Sequence, residues 1–291
     1  MKIAVYAAAS AAVLAALAAA HPAAAAPQEA EIRNAVARVI VIPEDRTDIA
    51  VEITRGSADL PQLVVERRGD KVRIDGGLGR RRNLLQFNSN GIRNCSDGRA
   101  EGRQPGEGAT VEVSGTGRVR LEDAPLIVLR TPRDVDVSSS SGVYGAIGRG
   151  ARSVDLGAGG CGTWTVANVD GRMEVAVGGS GSVRTGSSRS LAASVGGSGS
   201  ITTGATEDME ANIGGSGSIV VANVNGPVDI SIGGSGDVTI RGGRATMMDV
   251  AVAGSGNVRF DGTANSLEAS IAGSGDVRIT EVTGPVSRSI V

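Results

Sequence analysis

Short runs in which apolar and polar residues alternate occupy the second half of the chain. Residues 173–177 are Met-Glu-Val-Ala-Val, and residues 228–232 are Val-Asp-Ile-Ser-Ile. Alternation with a period of two, rich in Val and Ile, predicts β-strands that are buried on one face. Helical spacing is absent, and a glycine in the middle of every period would break a helix. The pattern therefore predicts an all-β fold.

A glycine-rich turn separates these runs and gives the chain an internal repeat. The sequence Gly-Gly-Ser-Gly or Ala-Gly-Ser-Gly recurs at steps of 18 to 20 residues. Looser copies precede it at residues 159–162 and 139–142, and residues 114–117 are a degenerate ninth copy. We predict structural turns at the Gly-Ser-Gly positions of the regular copies, which are Gly179, Ser180, Gly181, Gly197, Ser198, Gly199, Gly215, Ser216, Gly217, Gly234, Ser235, Gly236, Gly254, Ser255, Gly256, Gly273, Ser274 and Gly275.

A repeat of strand, glycine corner, strand and looser corner cannot bury its apolar face alone. Stacking the copies in register buries that face, which predicts a parallel β-helix or β-solenoid of eight coils over residues 135–291. Glycine suits the corner because it reaches positive φ without strain and leaves room between stacked coils. The aligned serines could form a hydroxyl ladder. A flexible linker is the alternative, but a linker has no reason to keep its apolar pairs in phase with its glycines.

A calcium-binding roll is the sharper rival for a glycine-rich repeat. Its nonapeptide requires an aspartate at the sixth position. That position is apolar here, at Val183, Ile219, Val238, Val258 and Val277. We therefore expect no calcium, no other metal and no cofactor.

The residues before the repeat are predicted to form an irregular β cap, over residues 27–134. Short apolar runs such as residues 36–42 and 71–75 alternate with turn residues. A polar stretch at about 76–108 is predicted to be a long surface loop with residues 84–87 as its apolar anchor. The arginines at residues 80–82 could bind an anion or simply be a solvated edge. A cap is expected because an exposed strand edge would recruit other chains.

The first residues predict export. A positive start, an apolar alanine-rich tract and small residues near a cleavage zone make residues 1–26 a secretory signal peptide. A membrane anchor is the alternative, but the tract lacks a long run of Leu, Ile or Val. The mature chain has no second apolar span. We expect a location in the periplasm or on the outer cell surface.

Composition narrows the core and the partners. Aromatic residues make up 2 % of the chain, so stacked Val, Ile, Leu and Ala must form the core. The formal net charge of −2 gives no argument for nucleic acid. Partners are expected to be an envelope protein or a glycan.

Two cysteines are the clearest chemical candidates. Cys95 lies in the predicted loop, and Cys161 replaces the serine of a corner. An even count in an oxidising compartment favours a disulfide between them, and two free thiols are the alternative. The only histidine, His21, lies in the signal region, which excludes a hydrolytic triad in the mature chain.

No catalytic constellation is evident. A polysaccharide-active β-helix enzyme would need carboxylates and basic groups that converge on one face, and the acidic residues look scattered. Trp164 and Tyr144 could form a small patch for sugar stacking, although a plug at the top of the solenoid is the simpler interpretation.

The corner motif followed by a small residue and Val, at a step near 19 residues, resembles the family of the putative auto-transporter adhesin, head GIN domain. The resemblance covers roughly Arg33 to the C-terminus, with Gly159 to Trp164 as a landmark. It implies a β-helical exported bacterial protein of unassigned activity, and the family's name suggests adhesion. We therefore expect a non-enzymatic protein with an adhesin-like or structural role in the envelope, with a polysaccharide-active enzyme as the alternative.

Overall fold

The structure is a computed structural model that describes residues 28–79, 91–98, 102 and 104–290. The predicted signal peptide, the arginines at 80–82 and the apolar residues 84–87 lie outside these ranges. The regular secondary structure of the described part is β-strand, apart from one short 3-10 turn at Leu121–Asp123. In chain order the strands are β1 (Glu29–Pro43), β2 (Ala50–Thr54), β3 (Val64–Arg68), β4 (Lys71–Asp75), β5 (Ile92–Cys95), β6 (Thr110–Val113), β7 (Gly117–Arg120), β8 (Leu126–Thr131), β9 (Asp134–Ile147), β10 (Ser153–Ala158), β11 (Thr163–Val166), β12 (Arg172–Val177), β13 (Ser182–Thr185), β14 (Ser190–Val195), β15 (Ser200–Thr206), β16 (Asp208–Ile213), β17 (Ser218–Val224), β18 (Val228–Ile232), β19 (Asp237–Ile240), β20 (Arg244–Ala245), β21 (Met248–Gly254), β22 (Asn257–Ala264), β23 (Leu267–Gly273), β24 (Asp276–Val282) and β25 (Val286–Ile290).

A parallel β-solenoid of about eight turns forms most of the molecule, which confirms the predicted fold. Each coil has two faces. Face A consists of β10, β12, β14, β16, β18, β21, β23 and β25, each paired in parallel with the next. Face B consists of β11, β13, β15, β17, β19, β22 and β24, paired in the same way. The long strand β9 runs through both faces, pairing with β10 and then with β11.

The first described strand belongs to the same stack. β1 pairs in parallel with β9 along its length, so it forms a coil of its own without a glycine corner. On its other side β1 pairs with β4 and then with β8. Two antiparallel strands follow, β3 on β4 and β2 on β8. Antiparallel strands end the parallel stack at this edge.

A small antiparallel sheet covers part of the first coils. It consists of β5, β6 and β7, so the stretch predicted to be a long loop contains a strand. The predicted ninth copy of the repeat, residues 114–117, is the hairpin turn between β6 and β7, and that prediction is wrong. The reason is that glycines with positive φ suit a hairpin as well as a corner, and Gly115 and Gly117 have φ of 86° and 90°.

The corner glycines are required mainly by close approach between coils. A Cβ on Gly215 would lie 2.2 Å from the carbonyl oxygen of Gly197, and one on Gly217 would lie 2.4 Å from that of Gly199. A Cβ on Gly214, the first residue of the same corner, would meet nothing within 4 Å. This difference explains why alanine replaces only the first glycine in the last two copies. Positive φ, the other predicted reason, occurs in the regular corners only at Gly254 and Gly273.

The corner serines pair through their backbones. The Ser198 N–H donates to the Gly179 carbonyl at 3.1 Å, and the Ser216 N–H donates to the Gly197 carbonyl at 3.1 Å. Their side chains are exposed. Within the described residues, the hydroxyls of the regular corner serines make no hydrogen bond, so the expected hydroxyl ladder is not formed.

The pairing of β9 with β10 corrects the predicted position of the looser copy at residues 139–142. Gly157 lies beside Ser138 and Ala158 lies beside Ser139, so the corner of β9 begins one residue later than the sequence alignment placed it. The cause is a local irregularity in the long strand, where Ser141 has a φ of 79°. All later copies follow the predicted alignment of corner on corner.

Candidate functional site

The outer surface of face A carries a row of carboxylates. Successive strands place one acidic residue at the same register position, so that each side chain stands beside the next. We call this row the carboxylate ladder. Its rungs, in order along the solenoid, are Glu29, Asp136, Asp155, Glu174, Glu210, Asp229, Asp249 and Glu268. Ala192 occupies the one step without a charge, between Glu174 and Glu210.

The ladder follows from the parallel stacking of the strands. Neighbouring strands in a sheet lie about 4.8 Å apart, so the rungs are spaced by about that distance. Apolar residues on either side of the rungs from Asp136 to Glu268 point inward and are buried, as Val228 and Ile230 are beside Asp229. Because strand side chains alternate between the two sides of a sheet, this burial forces the acidic residue outward.

Cations neutralise only part of the ladder. Lys71 lies 2.8 Å from Glu29 at the first rung, and Arg172 lies 3.0 Å from Glu174. The Asn212 amide also donates to Glu210. The other rungs make no hydrogen bond or ion pair within the described part of the chain; these are Asp136, Asp155, Asp229, Asp249 and Glu268.

The electrostatic cost of the row appears in the pKa values of its members. Desolvation and the nearby carboxylates of Asp155 and Glu29 raise the pKa of Asp136 to about 6. Desolvation, followed by repulsion from neighbouring rungs, also raises the pKa of Asp155 and of Asp229. Two unit charges at this spacing repel by roughly 1 kcal/mol in water and by several times more near a protein surface. The fold therefore maintains a charge pattern that does not stabilise it.

A column of short side chains flanks the ladder two positions further along each strand. It leaves the carboxylates without tall neighbours on that side, and its members are Ser138, Gly157, Ala176, Ser194, Asn212, Ser231, Ala251, Ser270 and Ser289. Face A is thus a regular surface with one charged row. Such a surface can contact an extended partner along its length.

The row does not form a metal cage. Calcium is held by six to eight oxygens that converge on one point. Among the residues that the structure describes, no three His, Cys, Asp or Glu side chains are grouped closely enough to hold a metal ion. The ladder can instead act as a linear array of negative charge, which attracts cationic groups over a distance.

The predicted disulfide is present in the structure, between Cys95 of β5 and Cys161 at the corner after β10. It ties the small antiparallel sheet to the wall of the solenoid. Beneath that sheet, Tyr144 is fully buried and its hydroxyl donates to the Ser96 carbonyl at 2.7 Å. The disulfide and Tyr144 therefore hold the small sheet in place from two sides.

The two aromatic candidates form neither a sugar-stacking patch nor a plug at the top of the solenoid. Trp164 lies inside the coils, 1 % exposed, with its Nε1 donating to the Ser139 hydroxyl. It packs where Gly145 of the neighbouring strand leaves room, since a Cβ there would lie 2.3 Å from the ring. Tyr144 points to the opposite side of face B, under the small sheet. The coil of β1 lies beyond both, which is why neither residue plugs the end.

The spacing of the acidic residues in the sequence already indicates the ladder. The sequence analysis described these residues as scattered and therefore missed it. An acidic residue stands four positions before every corner from residue 159 onward, with Ala192 as the exception. Only the register of the strands shows that these residues share one side of one face. Asp136 and Glu29 join the row from segments without a regular corner, so the periodicity alone would not have found them.

No helix in the described ranges is long and apolar enough to cross a membrane. No curated protein and no solved structure matches the chain. One family model does match, over residues 210–284, which covers a smaller part of the chain than the predicted resemblance. These residues include four rungs of the ladder, from Glu210 to Glu268. The model that matches residues 210–284 is that of the family described as putative auto-transporter adhesin, head GIN domain, and the chain is similar to that family over these residues.

Proposed function

We propose that the chain is an exported, non-enzymatic, adhesin-like protein that binds a component of the bacterial envelope along face A. The carboxylate ladder supports this proposal, because it places unpaired charge in a regular row on an exposed face. The match to an adhesin-like family model supports the same role. The partner that suits this face is an envelope protein or glycan that carries positive charges.

The geometry of the ladder favours binding over hydrolysis. A polysaccharide-active enzyme would use one carboxyl of raised pKa and a second carboxylate on either side of the bond to be cleaved. Asp136 and Asp155 are two neighbouring carboxyl groups of raised pKa, so their chemical type would suit such a pair. They stand as neighbouring rungs of one row and project side by side from the outer surface of one sheet, so they do not flank a bond from two sides. We therefore keep binding as the single proposed function.

The experiment compares retention of the purified protein on an isolated envelope fraction. Changing Glu210→Gln, Asp229→Asn and Asp249→Asn together removes three adjacent, exposed rungs. We expect retention to fall at least about fivefold, and wild-type retention to weaken with added salt, since exposed charges are screened. Protease treatment of the envelope fraction distinguishes a protein partner from a glycan.

A matched control removes the same charge elsewhere. Glu112→Gln, Asp170→Asn and Glu207→Gln together neutralise three exposed carboxylates outside the ladder. We expect this variant to be retained like the wild type. Equal loss in both variants would show that only net charge matters, and unchanged retention of the ladder variant would contradict the proposal.

A further inference from the structure

Three carboxylates at the start of the ladder stand side by side, and we call them the acidic triplet. Asp136 of β9 is the middle one, in register with Glu29 of β1 on one side and with Asp155 of β10 on the other. Neighbouring strands lie about 4.8 Å apart, so both outer carboxylates stand close to the middle one. A carboxylate between two others is harder to ionise than an isolated one, because its charge is repelled from both sides.

The basic residues on the β1 side of Asp136 are engaged by other carboxylates. Lys71 of β4 lies 2.8 Å from Glu29 and 3.4 Å from Glu31, and β1 separates it from β9. Arg73, the next basic residue on β4, lies 2.8 Å from Glu31. Lys71 therefore attracts Asp136 only from beyond Glu29.

The strands on the other side of Asp136 bring it no free cation. Asp155 makes no hydrogen bond or ion pair among the described residues. Arg172 of β12, one strand further on, lies 3.0 Å from Glu174. The middle carboxylate of the triplet thus has a carboxylate on each side, and the cations around it belong to other acidic residues.

Asp134, on the same strand and the same face as Asp136, has the opposite surroundings. Arg152 pairs with it, and the Ser153 hydroxyl donates to it at 2.7 Å. The hydrogen bond from Arg152, followed by that from Ser153, holds the pKa of Asp134 below its ordinary value. Burial, followed by repulsion from the two neighbouring carboxylates, raises the pKa of Asp136 to about 6. The immediate surroundings therefore set the pH at which each aspartate ionises.

We propose that the acidic triplet makes binding along face A depend on pH, so that a cationic partner is held more tightly near neutral pH than at pH 5. This inference rests on the proposed function of face A. On acidification the Asp136 carboxylate takes up a proton, and the row loses one charge. Release by this route differs from unfolding, because a carboxyl whose pKa is raised in the folded chain stabilises the fold when it is protonated.

The ionisation of Asp136 sets the size of the effect. A carboxyl with a pKa of about 6 is almost fully ionised at pH 7.5 and about one-tenth ionised at pH 5. When binding requires the ionised form, the apparent affinity falls in proportion to the ionised fraction, which is about tenfold here. Asp155, whose pKa is also raised, changes its charge in the same direction.

The experiment titrates the purified protein with hexa-arginine, a probe whose guanidinium groups stay charged at both pH values. Fluorescence anisotropy of the labelled probe at low salt gives its affinity. We expect the wild type to bind about tenfold more weakly at pH 5 than at pH 7.5. Asp136→Asn together with Asp155→Asn should bind weakly at both values, with less than about a threefold difference between them.

A matched variant removes two rungs from the other end of the ladder. Asp249→Asn together with Glu268→Gln lowers the negative charge by the same amount and leaves the triplet intact. We expect it to bind the probe more weakly than the wild type at pH 7.5 and to keep the fall of about tenfold at pH 5. Circular dichroism at both pH values checks that all three proteins are folded.

Retention on the envelope fraction at the same two pH values separates this inference from the proposed function. Equal retention of the wild type at pH 7.5 and pH 5 would overturn the pH dependence and leave the proposed function standing. The pH dependence is also overturned if the wild type binds hexa-arginine equally at both values or not at all, or if the triplet variant keeps the full fall. Absence of retention at both pH values would instead contradict the proposed function, and the inference with it.

Discussion

At the scale of single residues, a carboxylate in the ladder costs the fold free energy when it ionises. The pKa of Asp136 is raised to about 6 in the folded chain, above the value of about 3.9 that an unfolded aspartate has. Its contribution to stability is therefore present in full below pH 4 and is lost as the pH rises through 6. The row is maintained against this cost, as expected of a surface with a binding role.

Asp136→Asn tests this cost directly. The variant should be more stable than the wild type at pH 7.5, by about 1–3 kcal/mol, because the amide cannot ionise. The difference should vanish near pH 4. Urea unfolding at several pH values measures it, and Asp170→Asn, an exposed carboxylate outside the ladder, serves as the control. A lower stability of Asp136→Asn at pH 7.5 would contradict the assigned electrostatics.

The two glycines that begin a corner should differ sharply in their tolerance of a side chain. Gly215→Ala places a Cβ 2.2 Å from a backbone carbonyl oxygen, so we expect a loss of about 2–4 kcal/mol in unfolding free energy. Gly214→Ala has open space around the new atom, and should be neutral or stabilising by up to about 1 kcal/mol. Thermal unfolding of the pair decides this. Similar losses in both variants would show that close stacking is not what selects glycine.

At the scale of elements, the disulfide joins two structures that differ in their other contacts. The small sheet of β5, β6 and β7 touches the solenoid through one apolar cluster, whereas each coil before the last described one is paired with neighbouring strands on both sides. The bond between Cys95 and Cys161 closes a loop with a sequence separation of 66 residues, which contributes about 4 kcal/mol in the chain-entropy account. Loss of the disulfide should therefore destabilise the small sheet before it destabilises the coils.

Replacing both cysteines by serine should expose the small sheet to protease and leave the later coils protected. We expect early cleavage near residues 91–98, with a resistant fragment that contains residues 172–290. The wild type under oxidising conditions should resist cleavage at both places, and its cysteines should resist alkylation until it is reduced. Cleavage within the later coils at the same rate would indicate that the molecule unfolds as one unit.

The elements that the sequence predicts well are those that repeat. Alternating Val and Ile with a glycine corner specify strand, turn and stacking together, so the coils from β12 onward follow from periodicity. The corner of β9 and the coil of β1 were harder to predict, because Asn34 and Ser141 take positive φ without the glycine motif. The hairpin turn at residues 114–117 was wrongly predicted to be a corner, because it has glycines like those of the corner motif.

At the scale of the whole molecule, the solenoid converts a one-dimensional repeat into a surface with straight rows. One acidic residue in each repeat gives a charged row on face A, and one apolar residue in each repeat gives a buried column. The ladder and the buried columns therefore both follow from the same parallel register.

That register is the central claim, and the distance between two distant rungs tests it most directly. Spin labels at Asp155 and Asp249, both exposed, lie five strand spacings apart in face A. At about 4.8 Å per step, a dipolar measurement should give a narrow distribution centred near about 24 Å, broadened by the label linkers. A broad distribution, or a mean that differs by more than about two strand spacings, would contradict the in-register solenoid and the ladder with it.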